Sequence, residues 1–560
     1  MKRSSSLWLV LALVLAVSVL AGCGQAPAAT PTTAPAAPTT APSAPAPTAA
    51  APSAAPTQAP AAAKPKSGGT LTIAHLSAPK SMNSIIDPGK PGITVLNQVE
   101  EGLLGFDTEG KVVPVLATAM PETPDPLTWI FKLHQGIKYH NGDELTADDV
   151  KYTFQRLLDP KYKATFGQVY RDNIAQIDVV DKYTIKFTMK QPWPIFPSFV
   201  AGNHPKVINE KTGEHPDFGV KMWNGTGPFK IQEWVQGERI TLVKNDSYWQ
   251  KGLPYLDKIV YKVIPDESTQ IANLETGQVD VVQDPPFKEL KRLAQDPRFK
   301  VLTAPSAAET LVCFNTAKPP FDDKKVRRAI SLGIDRKELV ETVFYGYADV
   351  NGDPFPPNHW AHDPSIVEPY DPEKAKALLS EAGYGPNKPL EFTLVPQNTA
   401  LYMDQATLIQ SQLAKIGVKV NILPMEYTAQ SAMMRKPKTE WQGDACVLRI
   451  TPLRGTAFEF TYYQYGATGA LNYHGYNKDG YKNEEFEKLL LEAISYSDYV
   501  EAERAKAKPL YKKISEILIE DAPMLRLNWW NNADVVQKWV MDYPLAEGDV
   551  NMLKYCWLDK

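Results

Sequence analysis

Apolar residues fall into three regimes along this chain. Leu7 to Leu20 is an almost unbroken hydrophobic run behind Lys2 and Arg3. At about 14 residues it is shorter than the roughly 20 that a spanning helix needs, so it reads as a secretion signal. Gly24 to Lys66 is Ala, Pro, Thr and Ser with almost no large apolar side chain, and cannot offset the entropy of ordering itself. Where proline keeps such a segment polyproline-like it extends about 3.1 Å per residue, a reach on the order of 100 Å. From Ser67 onward hydrophobic residues recur with the periods of folded elements.

Ser67 to Ala74 alternates as a strand does, and Leu127 to Leu133 alternates again with Trp129, Phe131 and Leu133 on one face. Thr146-Ala-Asp-Asp149 has the form of a capping box, followed by Val150, Phe154 and Leu157 at helical spacing and by Pro160 as a stop. Tyr261–Ile264 predicts a strand, Asp266 a helix cap, Gly277 that helix's end and Val279–Val282 the next strand. Asp371-Pro372 opens a helix closed by Gly383. A strand near Phe392–Val395, a helix over Leu401–Ile416 ended by Gly417 and a strand at Val418–Ile422 follow. This repeated exchange of strand and helix implies α/β architecture with crossovers. No internal repeat is visible.

The totals narrow the function. About 490 residues follow the Ala/Pro/Thr segment, enough for two to four domains. With 43% hydrophobic and 22% charged residues, a large core is within reach. A net charge of −4 gives no electrostatic case for nucleic acid or a polybasic membrane surface. Leu20-Ala21-Gly22-Cys23 resembles the bacterial lipoprotein cleavage box, in which the cysteine is lipidated and becomes the mature N-terminus. Lipid matters because each buried CH₂ contributes about 0.8 kcal/mol, so several acyl chains hold where one does not. Residues 1–23 are thus the signal peptide and 24–66 a disordered tether. Cys313, Cys446 and Cys556 remain, which allows one disulfide, with Cys313–Cys446 as the expected pair.

Catalytic signatures are absent: there is no H-E-x-x-H, G-x-S-x-G or Walker loop. His359-Trp-Ala-His362 has metal-ligand spacing but sits among Pro354, Pro356, Pro357 and Pro364, which favours a loop. Asp143, Glu144, Asp148 and Asp149 lack the spacing and central glycine of a calcium loop and read as a solvated helix start. Gly225-Thr-Gly-Pro-Phe229 precedes a strand, and Pro228 removes a donor, so it suits a tight chain crossing rather than a phosphate cradle. Trp223 could line a cleft or pack. Trp529 and Trp530, flanked by Asn528, Asn531 and Asn532, would face opposite sides of a strand, so that one can pack while the other lines a cavity. Both packed in a core is the alternative. Arg449 and Arg454 flank Thr451-Pro452 among Phe458, Phe460, Tyr462, Tyr463 and Tyr465, a setting that suits polar-ligand recognition.

Several stretches carry a wider resemblance. Asn97-Gln-Val-Glu-Glu-Gly-Leu-Leu-Gly-Phe106, Val113-Pro-Val-Leu-Ala117 and Phe131-Lys-Leu-His-Gln-Gly-Ile-Lys-Tyr-His-Asn-Gly-Asp143 are among them. So are Gly225–Phe229, Asn245-Asp-Ser-Tyr-Trp249, Phe314-Asn-Thr316, Pro320-Phe-Asp-Asp-Lys-Lys-Val-Arg-Arg-Ala-Ile330 and Tyr370-Asp-Pro-Glu-Lys-Ala375. In order and spacing the chain resembles the solute-binding proteins (family five) of dipeptide, oligopeptide and nickel ABC importers. The resemblance implies a two-lobed periplasmic-binding-protein type II fold (cluster C) with a strand hinge and an extra domain inserted in lobe one. Lobe one would comprise 67–104, 225–318 and 526–560, the inserted domain 105–224 and lobe two 319–525.

Function in that family is capture of a solute between lobes and delivery to ABC permease subunits. The resemblance therefore implies no catalysis, no cofactor and no metal. It implies a monomer held by its lipid at the outer face of the cytoplasmic membrane, with no nucleic-acid partner. Peptide-binding relatives pair an aspartate with the ligand's α-ammonium at a position that falls at or near Thr451, yet Cys446–Arg454 contains no carboxylate. Arg435 matches an arginine that meets ligand carboxylates, and Trp530 a cleft-facing aromatic. The implied site is Trp223, Arg435, Arg449, Thr451, Arg454, Trp529 and Trp530. Its ligand is a peptide, with an oligosaccharide as the alternative. A surface hydrolase with a hidden carboxylate pair, and a sensing or chaperone lipoprotein of the same fold, are the readings from other classes.

Overall fold

The computed structural model describes residues 64–86, 89–107, 111–164, 167–202, 205–350, 352–434, 436–451, 456–466, 482–545 and 552–560. Cys23 and the tether to residue 63 lie outside these, as do Arg435, Arg454 and the aromatic-rich 467–481.

Alternating apolar residues build an eleven-stranded sheet. From one edge its strands are Lys419–Ile422, Glu391–Val395, Ala445–Ile450, Phe299–Phe314, Met524–Gln537, Val281–Gln283, Thr70–His75, Lys258–Val263, Arg239–Lys244 and Phe229–Val235. Ala348–Val350 adds to Met524–Gln537. Two local parallel sets flank the centre: Glu391–Val395 with both its neighbours, and Thr70–His75 with both of its own. Parallel neighbours need crossovers, and helices supply them. Glu267–Glu275, capped by the Asp266 carboxylate accepting from Thr269 N at 2.7 Å, joins Lys258–Val263 to Val281–Gln283. Ala400–Ala414 joins Glu391–Val395 to Lys419–Ile422, and Tyr427–Met434 leads to Ala445–Ile450. Gly277, Gly383 and Gly417 close their helices at positive φ, as glycine permits.

Phe299–Phe314 and Met524–Gln537 run side by side. Near the Phe299 and Gln537 ends, one core packs Leu71, Ile73, Phe229, Ile259, Tyr261 and Val536, and another packs Ala74, Val282, Leu290 and Val535. Toward the other ends two different cores take over. One holds Val312, Phe314, Phe392, Val447 and Leu525, the other Leu311, Cys313, Cys446, Tyr511 and Trp529. A fifth core gathers Leu103 to Phe218 around a three-stranded antiparallel sheet, with Phe131, Phe154, Phe187 and Phe196 in edge-to-face contact. The helix Ala147–Leu158 lies in it, its start held by the Asp149 carboxylate accepting from Thr146 N at 2.9 Å.

Gly225–Phe229 is the tight crossing that its composition implies. A Cβ on Gly225 would stand 1.9 Å from Val99 O, and one on Gly227 2.7 Å from Gln98 O. The backbones bond there instead, Gly227 N to Val99 O at 3.0 Å and Phe229 N to Gln98 O at 3.0 Å.

One expectation is corrected. Cys313 and Cys446 are direct partners across antiparallel strands, but both are unbonded thiols, as is Cys556. Each is buried as a small apolar side chain, and the Cys313 sulfur lies 3.5 Å from that of Met524.

Candidate ligand-binding site

Strand direction locates the site. Val281–Gln283 runs antiparallel to Met524–Gln537 and ends opposite Asp534. Ala445–Ile450 runs antiparallel to Phe299–Phe314 and ends opposite Glu309, which in turn pairs with Trp529. The two parallel sets therefore point their carboxyl ends at each other. Between them lie the five residue steps from Asp534 to Trp529, roughly 17 Å of strand. Ligands of open α/β sheets bind beyond the carboxyl ends of strands; here two such ends face one gap.

On the lobe-two side the Arg449 guanidinium lies 4.4 Å from the centre of the Trp530 ring. It has no carboxylate within ion-pair distance among the described residues, and its buried Nε meets no acceptor. Trp530 is fixed from three directions. Its indole N–H donates to Thr310 Oγ1 at 2.8 Å, and its edges meet Phe344 at 5.4 Å and Phe287 at 5.7 Å. Phe287 opens a helix from the other half of the sheet, so the aromatic contact ties the two halves beside the gap.

On the lobe-one side Asp284 follows Gln283 in the left-handed region, φ 49°. Its N–H donates to Asp534 Oδ1 at 3.2 Å, and Lys90 Nζ stands 2.7 Å from its Oδ2. Asp534 is buried and also accepts from Tyr543 OH at 2.9 Å, while Gln283 Nε2 donates to that phenol at 3.0 Å. Burial, with the Asp284 charge adding to it, pushes the Asp534 carboxyl up to about 7. His75, at the end of its strand, is pushed down to about 4 by burial and is neutral at pH 7. The gap thus has an indole with a guanidinium on one side and a carboxylate–ammonium pair on the other, a surface suited to a polar ligand with an apolar face. No group of three or more His, Cys, Asp or Glu among the described residues could hold a metal ion.

Comparison with known proteins gives this geometry its context. Residues 111–472 match the family model described as bacterial extracellular solute-binding proteins, family 5. The chain belongs to that family. It is 30% identical over 529 residues to the oligopeptide-binding protein AppA of Bacillus subtilis, covering 89% of this chain and 93% of that one. It is also 30% identical over 436 residues to the glutathione-binding protein GsiB of Escherichia coli K12, covering 76% and 82%. Among solved structures, Helicobacter pylori DppA in complex with the peptide STSA superposes with a TM-score of 0.75 at 27% identity, over 88% of this chain and 99% of that one. Bacillus subtilis AppA with a nonapeptide gives 0.73 at 28%, over 89% and 100%.

In this solute-binding protein the motifs that carry the resemblance are structural. The buried Glu101 carboxylate accepts from Thr226 Oγ1 at 2.9 Å, Tyr248 OH at 2.7 Å and Trp249 Nε1 at 2.9 Å, joining three motifs in one network. Arg327 donates to the carbonyls of Phe321, Asp521 and Ala522, and Arg328 pairs with Glu368 out of solvent. His359 and His362 are in a loop, with His362 Nδ1 3.0 Å from Asp353 Oδ2.

Of the residues singled out from sequence, the structure brings together Arg449 and Trp530, with Thr451 half-buried two positions beyond Arg449. Trp529 turns to the opposite face, 2% exposed and edge-on to Phe460 at 5.6 Å. Trp223 packs half-buried against the lobe-one core, 6.2 Å from Trp234, and is not joined to that pair. Sequence reasoning missed Asp284, Lys90, Asp534, Phe287 and Phe344. For Asp284 the available signal was its place directly after a short buried strand.

Proposed function

We propose that this chain is the substrate-binding lipoprotein of an ABC importer, capturing a peptide in the gap between its lobes and delivering it to a membrane permease. The observation that carries the reading is the facing of two sets of strand ends across one gap, with Arg449 on Trp530 and Asp284 on Lys90 as its polar walls. Relatives named for oligopeptide and glutathione binding support a peptide as ligand. Peptide contacts made with both lobes would shift an open–closed equilibrium toward the closed form. A micromolar ligand supplies about −8 kcal/mol, within which closure has to be driven. The protein binds without turnover. Cys23 carries lipid, and residues 24–66 keep the binding body near the permease while it samples solute.

Mass spectrometry of ligand carried through purification from the native host tests the reading. Peptide released on unfolding is expected, with a melting temperature raised when that peptide is added back. A sugar or haem in its place, or peptide hydrolysed by the pure protein, would contradict it.

A further inference from the structure

Cys446–Arg454 contains no carboxylate, yet the gap is not without one. Asp284 keeps 43% of its side-chain surface. Lys90 occupies Oδ2 at 2.7 Å, and Oδ1 meets no donor among the described residues. The group is held in place: its backbone sits in the left-handed region, which aspartate and asparagine tolerate better than most residues, with its N–H tied to Asp534. Three residues later Phe287 touches the edge of Trp530, whose face carries Arg449, and the Arg449 charge acts on Asp284. Desolvation in the gap pushes its carboxyl up, but Lys90 and Arg449 outweigh this and hold it below its ordinary value, so it is ionised at neutral pH.

We propose that Asp284 of lobe one, steadied by Lys90, receives the ligand's terminal ammonium, while Arg449 across the gap takes the adjoining carbonyl or carboxylate oxygen. This rests on the peptide reading above and adds a specificity-determining pair to it. A ligand with only a cation would face Lys90 and Arg449, and one with only an anion would face Asp284. A free amino-acid head satisfies both sides. One pre-positioned oxygen needs only the ligand to be ordered, so a charge-assisted hydrogen bond can keep most of its strength.

The test is competitive capture from a mixed tetrapeptide pool offered in equal amounts as free-amino and isotope-marked N-acetylated forms, counted by mass spectrometry. Wild-type protein is expected to retain the free form at least about tenfold over the acetylated one, the ratio one such bond supplies. Asp284→Asn, which preserves shape and left-handed tolerance, should bring that ratio close to one at an unchanged melting temperature. Arg449→Gln should weaken retention of both forms together. If Asp284→Asn does not fold, Asp284→Gly serves instead; it keeps the left-handed backbone, removes the carboxylate and should also bring the ratio close to one. A wild-type ratio near one, or a ratio that none of these carboxylate-side substitutions moves, overturns the proposal and leaves peptide binding standing. Retention of neither form by wild-type protein overturns the peptide reading, and this proposal with it.

Discussion

A guanidinium over an indole face is a weak attraction in water and a stronger one where water is excluded. Arg449 and Trp530 form that pair at the gap, while Trp529, one residue away, is sealed in the opposite core. The two tryptophans should therefore fail differently. Trp529→Ala is expected to cost about 3–5 kcal/mol of stability with little loss of affinity in the folded fraction. Trp530→Ala should lower peptide affinity about tenfold or more with a smaller stability cost. Chemical denaturation beside calorimetric titration separates them, and equal affinity losses would contradict the assignment. A second residue-scale consequence concerns pH. Burial pushes the carboxyls of Glu100, Asp498 and Asp534 up to about 7. Between about pH 4.5 and 7 the folded chain holds protons that the unfolded chain has released, so these groups add stability at low pH that disappears as pH rises through 7. The buried histidines His75 and His140, pushed down to about 4, act in the opposite direction. A single substitution isolates one group: Glu100→Gln should melt increasingly above wild type from pH 5 to pH 8, and a constant offset would contradict the shift. The opposed tryptophans were legible because strand alternation has a period of two. Asp284 was not, since its importance depends on which distant strands Val281–Gln283 joins, and a three-residue strand carries no pattern that specifies its partners.

At the scale of elements, the long strands exchange one set of cores for another within their length. On Phe299–Phe314 the change falls between Leu302 and Ala307, and on Met524–Gln537 between Trp530 and Ala533. A register shift between Pro305 and Glu309 interrupts the ladder in the same interval. We propose that the lobes pivot there, inside the strands, so that Ala307–Phe314 and Leu527–Trp530, drawn into lobe one from sequence, pack with lobe two. Residues 105–224 supply most of one core, around Phe154 and Phe187, which Ile85, Leu103 and Leu104 join. The chain leaves that core through Gly225, where no Cβ fits. Gly225→Ala should therefore abolish soluble folded protein or lower its melting temperature by many degrees; a melt within a degree or two of wild type would show that the crossing can open. Helices with local punctuation, such as those capped by Asp266 and Asp371, were readable from sequence to within a residue or two. The Cys313–Cys446 disulfide expected from sequence is not formed, although the two residues are ladder partners. Neighbouring positions in a ladder follow from topology, whereas oxidation requires geometry that sequence does not contain.

The whole molecule combines an Ala/Pro/Thr-rich segment with almost no large apolar residue and a body whose large core needs no disulfide among its described residues. We propose that this division serves capture near a membrane, residues 24–66 setting the distance and the body doing the binding. In the proposed function a peptide draws the lobes together rather than resting on one of them. Small-angle scattering of residues 64–560, a compact unit by themselves, during titration with a peptide that raises the melting temperature tests this most directly. The radius of gyration is predicted to fall and to level off at one peptide per chain. A scattering curve unchanged at peptide concentrations that plainly stabilise the protein would contradict capture by closure.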